Sequence, residues 1–247
     1  MDPKELNIIE HLEEVRKRLL YVIGSFLTLL ALSLFFVEQI YSLLVKGLDV
    51  KLALLGPSDV LWIYFKIGAV CAIAFTLPIA GYHIWKFVLP ALKPHERRGA
   101  LLFIPSLFFL FIGGISFGYF VVFPIVLSFM QDLAGAHFIQ FYTSQNYFSF
   151  LIRLTLPFGI LFELPAIVLF LTSFGLLKPH ILKKSRKITY FIIAVTSILL
   201  TPPDFISDIL VLIPLLFIYE ISINVSAFVY RKKLQKETDL QEMELSS

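Results

Sequence analysis

The sequence predicts an all-α, polytopic membrane protein with six transmembrane helices, and three observations carry that expectation. First, 58% of the 247 residues are hydrophobic and only 16% are charged, with a mean hydropathy of +0.84. A water-soluble domain could not cover that much apolar surface. Second, the apolar residues come in long unbroken runs rather than in alternating segments of about ten residues, so the spanning elements are helices and not barrel strands. Third, Lys and Arg gather in every second interval between the runs, the pattern of loops on one side of a bilayer.

Residues 1–18 form a charged amphipathic lead-in: Leu6, Ile9, Leu12 and Leu20 recur at helical spacing among Glu10, Glu13, Glu14, Arg16, Lys17 and Arg18, so this segment is expected along the membrane surface. The first span is 19–37, followed by a mixed loop, 38–59, that Gly47, Gly56 and Pro57 break and that is expected to be structured. The second span, 60–85, contains Pro78 and Gly81. A connection through Lys93, Glu96, Arg97 and Arg98 leads to the third, 100–130. There Gly113, Gly114 and Gly118 would admit a neighbouring helix closely and Pro124 would bend the far end. After a loop without Lys or Arg comes the fourth span, 148–177, with Glu163 near its middle and Pro165 just beyond.

The basic stretch 178–187 precedes only fourteen apolar or small residues, 188–201, roughly 21 Å of helix and short of a bilayer. Thr201, Pro202, Pro203 and Asp204 force a turn, and the sixth span, 206–229, returns. This hairpin of short fifth and sixth helices would end below the far surface or thin the bilayer around it. The charged tail 231–247 is expected to be flexible. The whole chain reads as one integral membrane domain. The basic residues place both termini on the same, cytoplasmic side, and no cleaved presequence is expected.

Glu163 is the first candidate for a functional site, since an ionised group at midplane costs roughly 2.5 kcal/mol or more and must face protein or trapped water. A carboxylate satisfied between helices is the plainer reading. Asp204 and Asp208 share a helix face at the start of the sixth span, where Asp204 could also serve as a cap. Glu14 and Glu96, beside Arg16, Arg18, Arg97 and Arg98, could bind a charged peptide or form ordinary juxtamembrane ion pairs. Lys66 and Arg153 are expected to snorkel outward. Cys71 is alone, the five histidines lack metal-ligand spacing, and no phosphate loop or nucleophile motif is present, so neither an enzyme nor a cofactor is expected.

Four stretches together resemble the TatC family, the polytopic core of the twin-arginine protein translocase. They are His11 to Leu20; Phe87 through Pro90-Ala91-Leu92 to His95-Glu96-Arg97-Arg98; Phe162-Glu163-Leu164-Pro165; and Leu200-Thr201-Pro202-Pro203-Asp204. Tyr119 to Pro124 agrees as well. The resemblance implies a concave, glove-like bundle in the inner membrane that recognises twin-arginine signal peptides of folded cargo. It also implies single-span TatA-like and TatB-like partners at the fifth and sixth helices, a multi-copy complex, a proton-gradient drive, and neither catalysis nor nucleic acid.

Carried over by position, Glu14 and Glu96 would contact the arginine pair, with Arg16, Arg18, Phe87, Arg97 and Arg98 around them. Glu163 would be a polar point in the groove. Asp208 stands where relatives often carry glutamine, which suggests a proton-sharing pair with Glu163, and Gly47 stands where they commonly carry proline. The rival reading is a proton-coupled small-solute transporter using Glu163 and Asp208; it predicts inverted repeats, which the sequence does not show.

Overall fold

The computed structural model describes the backbone of residues 3–46, 52–88, 97–135, 142–201 and 205–246, and the side chains of 12–46, 52–87, 103–133, 135, 142–201 and 205–235. The described residues are overwhelmingly helical: α1 (Pro3–Val45), α2 (Pro57–Val88), α3 (Arg97–Phe117), a π-helical turn (Gly118–Val122), α4 (Phe123–Ala134), α5 (Ser144–Ser173), α6 (Pro179–Leu200) and α7 (Phe205–Ser246). Among the described residues, five stretches are long and apolar enough to cross a membrane: Leu12–Val45, Pro57–Phe87, Phe103–Leu133, Ser144–Ser173 and Phe205–Gln235. The protein is thus a multi-pass membrane protein. The expected short span, 188–201, lies in α6, whose first half carries Lys183, Lys184, Arg186 and Lys187 and keeps it out of that set.

Three expectations change. The charged lead-in is not a separate surface helix, because no Pro falls within residues 4–45 and no Gly comes before Gly24, already inside the first span, so the same helix runs on through that span, past the expected boundary at Val37. Residues 231–246 continue α7 as helix, since their Lys, Leu, Gln, Glu and Met are strong helix formers. In the third span the bend expected at Pro124 is preceded by a widened turn. Pro124 offers no N–H to the carbonyl of Phe120, and the Phe123 N–H reaches back to the Gly118 carbonyl.

The chain divides into two compact units. The first comprises Met1–Phe108 and Phe141–Ile152. In it α1 and α2 run antiparallel, fastened where the Ser33 hydroxyl donates to the Gly68 carbonyl at 2.8 Å; the missing side chain of Gly68 brings Leu34 and Ser33 against its main chain. Farther along, Tyr41 stacks on Phe148 with ring centroids 5.1 Å apart. The described end of the loop between α1 and α2 is structured: Ala53 donates to the Tyr142 carbonyl at 3.1 Å, Ser144 donates to the Ala53 carbonyl at 2.8 Å, and buried Asp59 accepts from the amides of Leu55 and Gly56. Lys66 does not simply snorkel, because its ammonium donates to the Ser149 hydroxyl at 2.6 Å.

The second unit comprises Phe109–Gln140 and Arg153–Ser247. Here two of the three glycines of α3 and the π-turn admit α5: an added Cβ at Gly114 would stand 2.5 Å from the Phe158 carbonyl, and one at Gly118 would stand 2.9 Å from the Thr155 Cα. Gly113 faces open space. Helices α6 and α7 form the expected hairpin, and α5 lies along α7 in the same direction, tied by a buried Thr172–Ser226 hydroxyl pair at 2.8 Å and by Lys233 donating to the Ser173 carbonyl at 3.1 Å. With no hydrophobic force between helices in lipid, such close approaches and hydroxyl bonds supply the cohesion.

Gly114→Val therefore lowers stability by roughly 2 kcal/mol, the scale of an overpacked contact against backbone, whereas Gly113→Val changes it by less than about 0.5 kcal/mol. Thermal unfolding of the two variants in detergent, followed by circular dichroism, measures the difference.

Candidate functional site

A polar cluster of the first unit is built on α1 and α2. Glu14 and Arg18 are one helical turn apart, so they share a face of α1, and the Arg18 Nε donates to Glu14 Oε1 at 3.1 Å while a second guanidinium nitrogen contacts the same oxygen. The third guanidinium nitrogen donates to the main-chain carbonyl of His83 on α2 at 3.0 Å. The guanidinium also lies 5.8 Å above the Phe87 ring, and Tyr21 stacks on His83 at 5.7 Å. Arg18 is thereby held in place with 16% of its side chain exposed, while Glu14 remains 48% exposed.

Beside this cluster is a cavity of about 330 Å³, lined by Arg18 together with Val15, Leu19, Val22, Ala80, Ile84 and the residues His83 and Phe87. The arrangement pairs an accessible carboxylate with an apolar recess, suited to a cationic segment that also carries an apolar side chain. Of the residues expected here, Glu14, Arg18 and Phe87 come together. Arg16 does not join them: two residues from Arg18 along a helix, it lies on another face and is exposed. Glu96 lies outside the described residues. Arg97 and Arg98 open α3, and their side chains lie outside the described ones. His83 and Tyr21 were not anticipated; His83 stands four residues before Phe87, and that shared helix face was the available signal.

In the second unit Glu163 is only 4% exposed, and neither carboxylate oxygen makes a hydrogen bond of ordinary geometry. The expected partnership with Asp208 is absent. Along the parallel pair α5 and α7, Thr172 is level with Ser226, so Glu163, nine residues before the first, and Asp208, eighteen before the second, differ in depth by about 13 Å. Asp208 instead meets the hydroxyl of Thr201, which also donates to the Ser197 carbonyl at 2.9 Å, while Ser197 donates to the Asp208 carbonyl at 2.7 Å. These bonds join the last turn of α6 to the first turn of α7, at the closed end of the hairpin. Pro202, Pro203 and Asp204, at its tip, lie outside the described residues.

A further cluster was missed. Glu220, inside the last span, accepts from Arg186 at 2.7 Å and from the Tyr190 hydroxyl, and Tyr219 donates to the Leu182 carbonyl at 2.9 Å. The reasoning that singled out Glu163, a carboxylate within an apolar run, applies equally to Glu220. Among the described residues no group of His, Cys, Asp and Glu has the makings of a metal site.

A family model described as Sec-independent protein translocase protein (TatC) matches residues 10–214. The Sec-independent protein translocase protein TatCd of Bacillus subtilis (strain 168) is 52% identical over 238 residues, covering 96% of this chain and 98% of the relative. The TatC protein of Aquifex aeolicus (strain VF5) is 32% identical, covering 92% and 97%. A crystal structure described as the twin arginine translocase receptor TatC superposes with a TM-score of 0.77 at 31% identity, covering 89% of this chain and 99% of the other.

The two ion-pair environments differ in what they contribute. Glu220→Ala deprives Arg186 and Tyr190, partly shielded on α6, of their shared acceptor and lowers stability by about 1 kcal/mol. Glu13→Ala, which removes only the exposed Lys17 pair at 3.2 Å, changes it by less than about 0.5 kcal/mol. Denaturation midpoints of the two variants in the same detergent check the contrast.

Proposed function

The chain belongs to the TatC family and is a core component of twin-arginine translocation, and from that premise we propose that its α1–α2 cluster receives the twin-arginine signal peptides of folded cargo. The family is one of translocase components, not of enzymes. The observation that carries the reading is the half-exposed Glu14 carboxylate, oriented by Arg18 and placed beside the apolar cavity under Phe87 and His83. A guanidinium arriving at Glu14 finds a bidentate acceptor; an ammonium makes only a point contact there.

In this reading Glu96 supplies the second carboxylate for the arginine pair, and Arg97 and Arg98 flank it. Arg16, on another face of α1, contributes to the local field and not to the contacts. Glu163 is a buried polar point met by the inserted peptide or a partner helix. The hairpin tip, Thr201 to Asp204, docks the single-span TatA-like and TatB-like partners of a multi-copy complex driven by the proton gradient. The protein sits in the cytoplasmic membrane with both termini in the cytoplasm, the side on which its basic loops collect. Coupled transport of a small solute through Glu163 and Asp208 is not favoured, given their separation in depth.

Glu14→Gln, which keeps the shape of the side chain and removes its charge, weakens binding of an Arg–Arg signal peptide by about tenfold, and binding of a Lys–Lys peptide changes less. Glu96→Ala abolishes export of cargo carrying such a signal. Peptide titrations with the purified protein and an export assay in cells measure the two effects; undiminished Arg–Arg binding and normal export would overturn the assignment.

A further inference from the structure

Beyond peptide recognition, we propose that the cleft between the start of α6 and the later part of α7 binds the phosphate headgroup of an anionic phospholipid. The cleft encloses about 270 Å³ and is lined by Lys178, His180, Lys183, Ala227, Tyr230 and Arg231, with no acidic side chain. It lies within the second unit, at the end of the α6–α7 pair where the basic residues collect.

Its lining brings three cations together without a counter-charge. Lys17, Arg18 and Arg186, by contrast, each have a carboxylate partner, in Glu13, Glu14 and Glu220. The cations next to the cleft have other engagements as well, Lys232 lying 4.6 Å above the Phe228 ring and Lys233 on the Ser173 carbonyl. Lys178, Lys183 and Arg231 form no ion pair among the described residues. A preference for basic residues on one side of the membrane accounts for their presence but not for their convergence on one open recess. Three cations around one recess repel one another, and an anion seated among them relieves that repulsion; the Arg231 fork and the ammonium groups match the several oxygens of a phosphate.

The surroundings favour a lipid over a free anion. Ile181 and Ile188 of α6 and Ile221 and Phe228 of α7 are exposed, the last to 61%, so the two helices that frame the cleft also present apolar surface to the acyl chains. Basic recesses between membrane helices at the headgroup level suit anionic headgroups in this way.

The test uses the full chain in nanodiscs of equal parts phosphatidylethanolamine and phosphatidylglycerol, with retained lipid counted by native mass spectrometry. The wild type and the charge-matched control K184Q/K187Q/K232Q retain phosphatidylglycerol, and K178Q/K183Q/R231Q loses that retention by on the order of tenfold. Equal retention by the latter, or equal retention of phosphatidylethanolamine by the wild type, overturns the proposal. Displacement of the retained lipid by inorganic phosphate would mark a free-anion site and overturn the lipid assignment. Should the triple variant fail to fold, Ala227→Trp, which fills the cleft and leaves every charge in place, must lose phosphatidylglycerol to the same extent; retention there is equally fatal.

Discussion

Between hydrocarbon tails a polar group has no water to turn to, and that condition decides where the hydroxyls of this chain sit. Ser33 meets the Gly68 carbonyl, Ser149 meets Lys66, Thr172 meets Ser226, and Ser197 and Thr201 bind the start of α7 through Asp208. Each contact joins two helices within one unit, at a place where dispersion alone would leave them free to slide. Glycine does the complementary work: Gly68, Gly114 and Gly118 remove the side chain that would hold two backbones apart. Hydroxyl bonds and close approach together substitute for the hydrophobic force that lipid does not provide.

The same condition ranks the charges. Arg18, Lys17, Arg186 and Lys66 each have a carboxylate, carbonyl or hydroxyl to meet, and the more sheltered the cation, the more contacts it makes: Arg18 touches a carboxylate, a carbonyl and an aromatic face, whereas exposed Lys17 touches one carboxylate. Glu163 is the exception, buried with no hydrogen bond of ordinary geometry. An unmatched polar group in a dry interior is costly, and no packing contact among the described residues compensates it.

How much of this could be read from the sequence follows from which quantities are local. Span positions were legible because twenty apolar residues in a row have few other uses, and Gly114 and Gly118 were legible as contact points because small residues serve that purpose in membranes. Helix ends were less so: the amphipathic lead-in and the charged tail look distinct in composition, yet nothing in them stops a helix, and both continue one. The supposed Glu163–Asp208 pair failed for a different reason. Sequence shows that both residues lie in spans; only the register of α5 on α7, set by Thr172 and Ser226, fixes their depths. The Arg18 contact with the His83 carbonyl was equally beyond reach, since any residue at position 83 presents a carbonyl.

The pairing of α1 with α2 also constrains which changes of length the chain can accept. From Arg18 to Ser33 is fifteen residues, and from Gly68, the partner of Ser33, to His83, the partner of Arg18, is again fifteen. The two helices therefore act as matched rulers of about 22 Å between the same two fasteners. Inserting a single residue between positions 18 and 33 would turn Arg18 by about 100° about the axis of α1 while Ser33 stayed seated, carrying the guanidinium away from His83 and Phe87. Side chains along this interval are free to vary so long as they remain apolar; the count of residues is not, except where a matching insertion in α2 restores the measure.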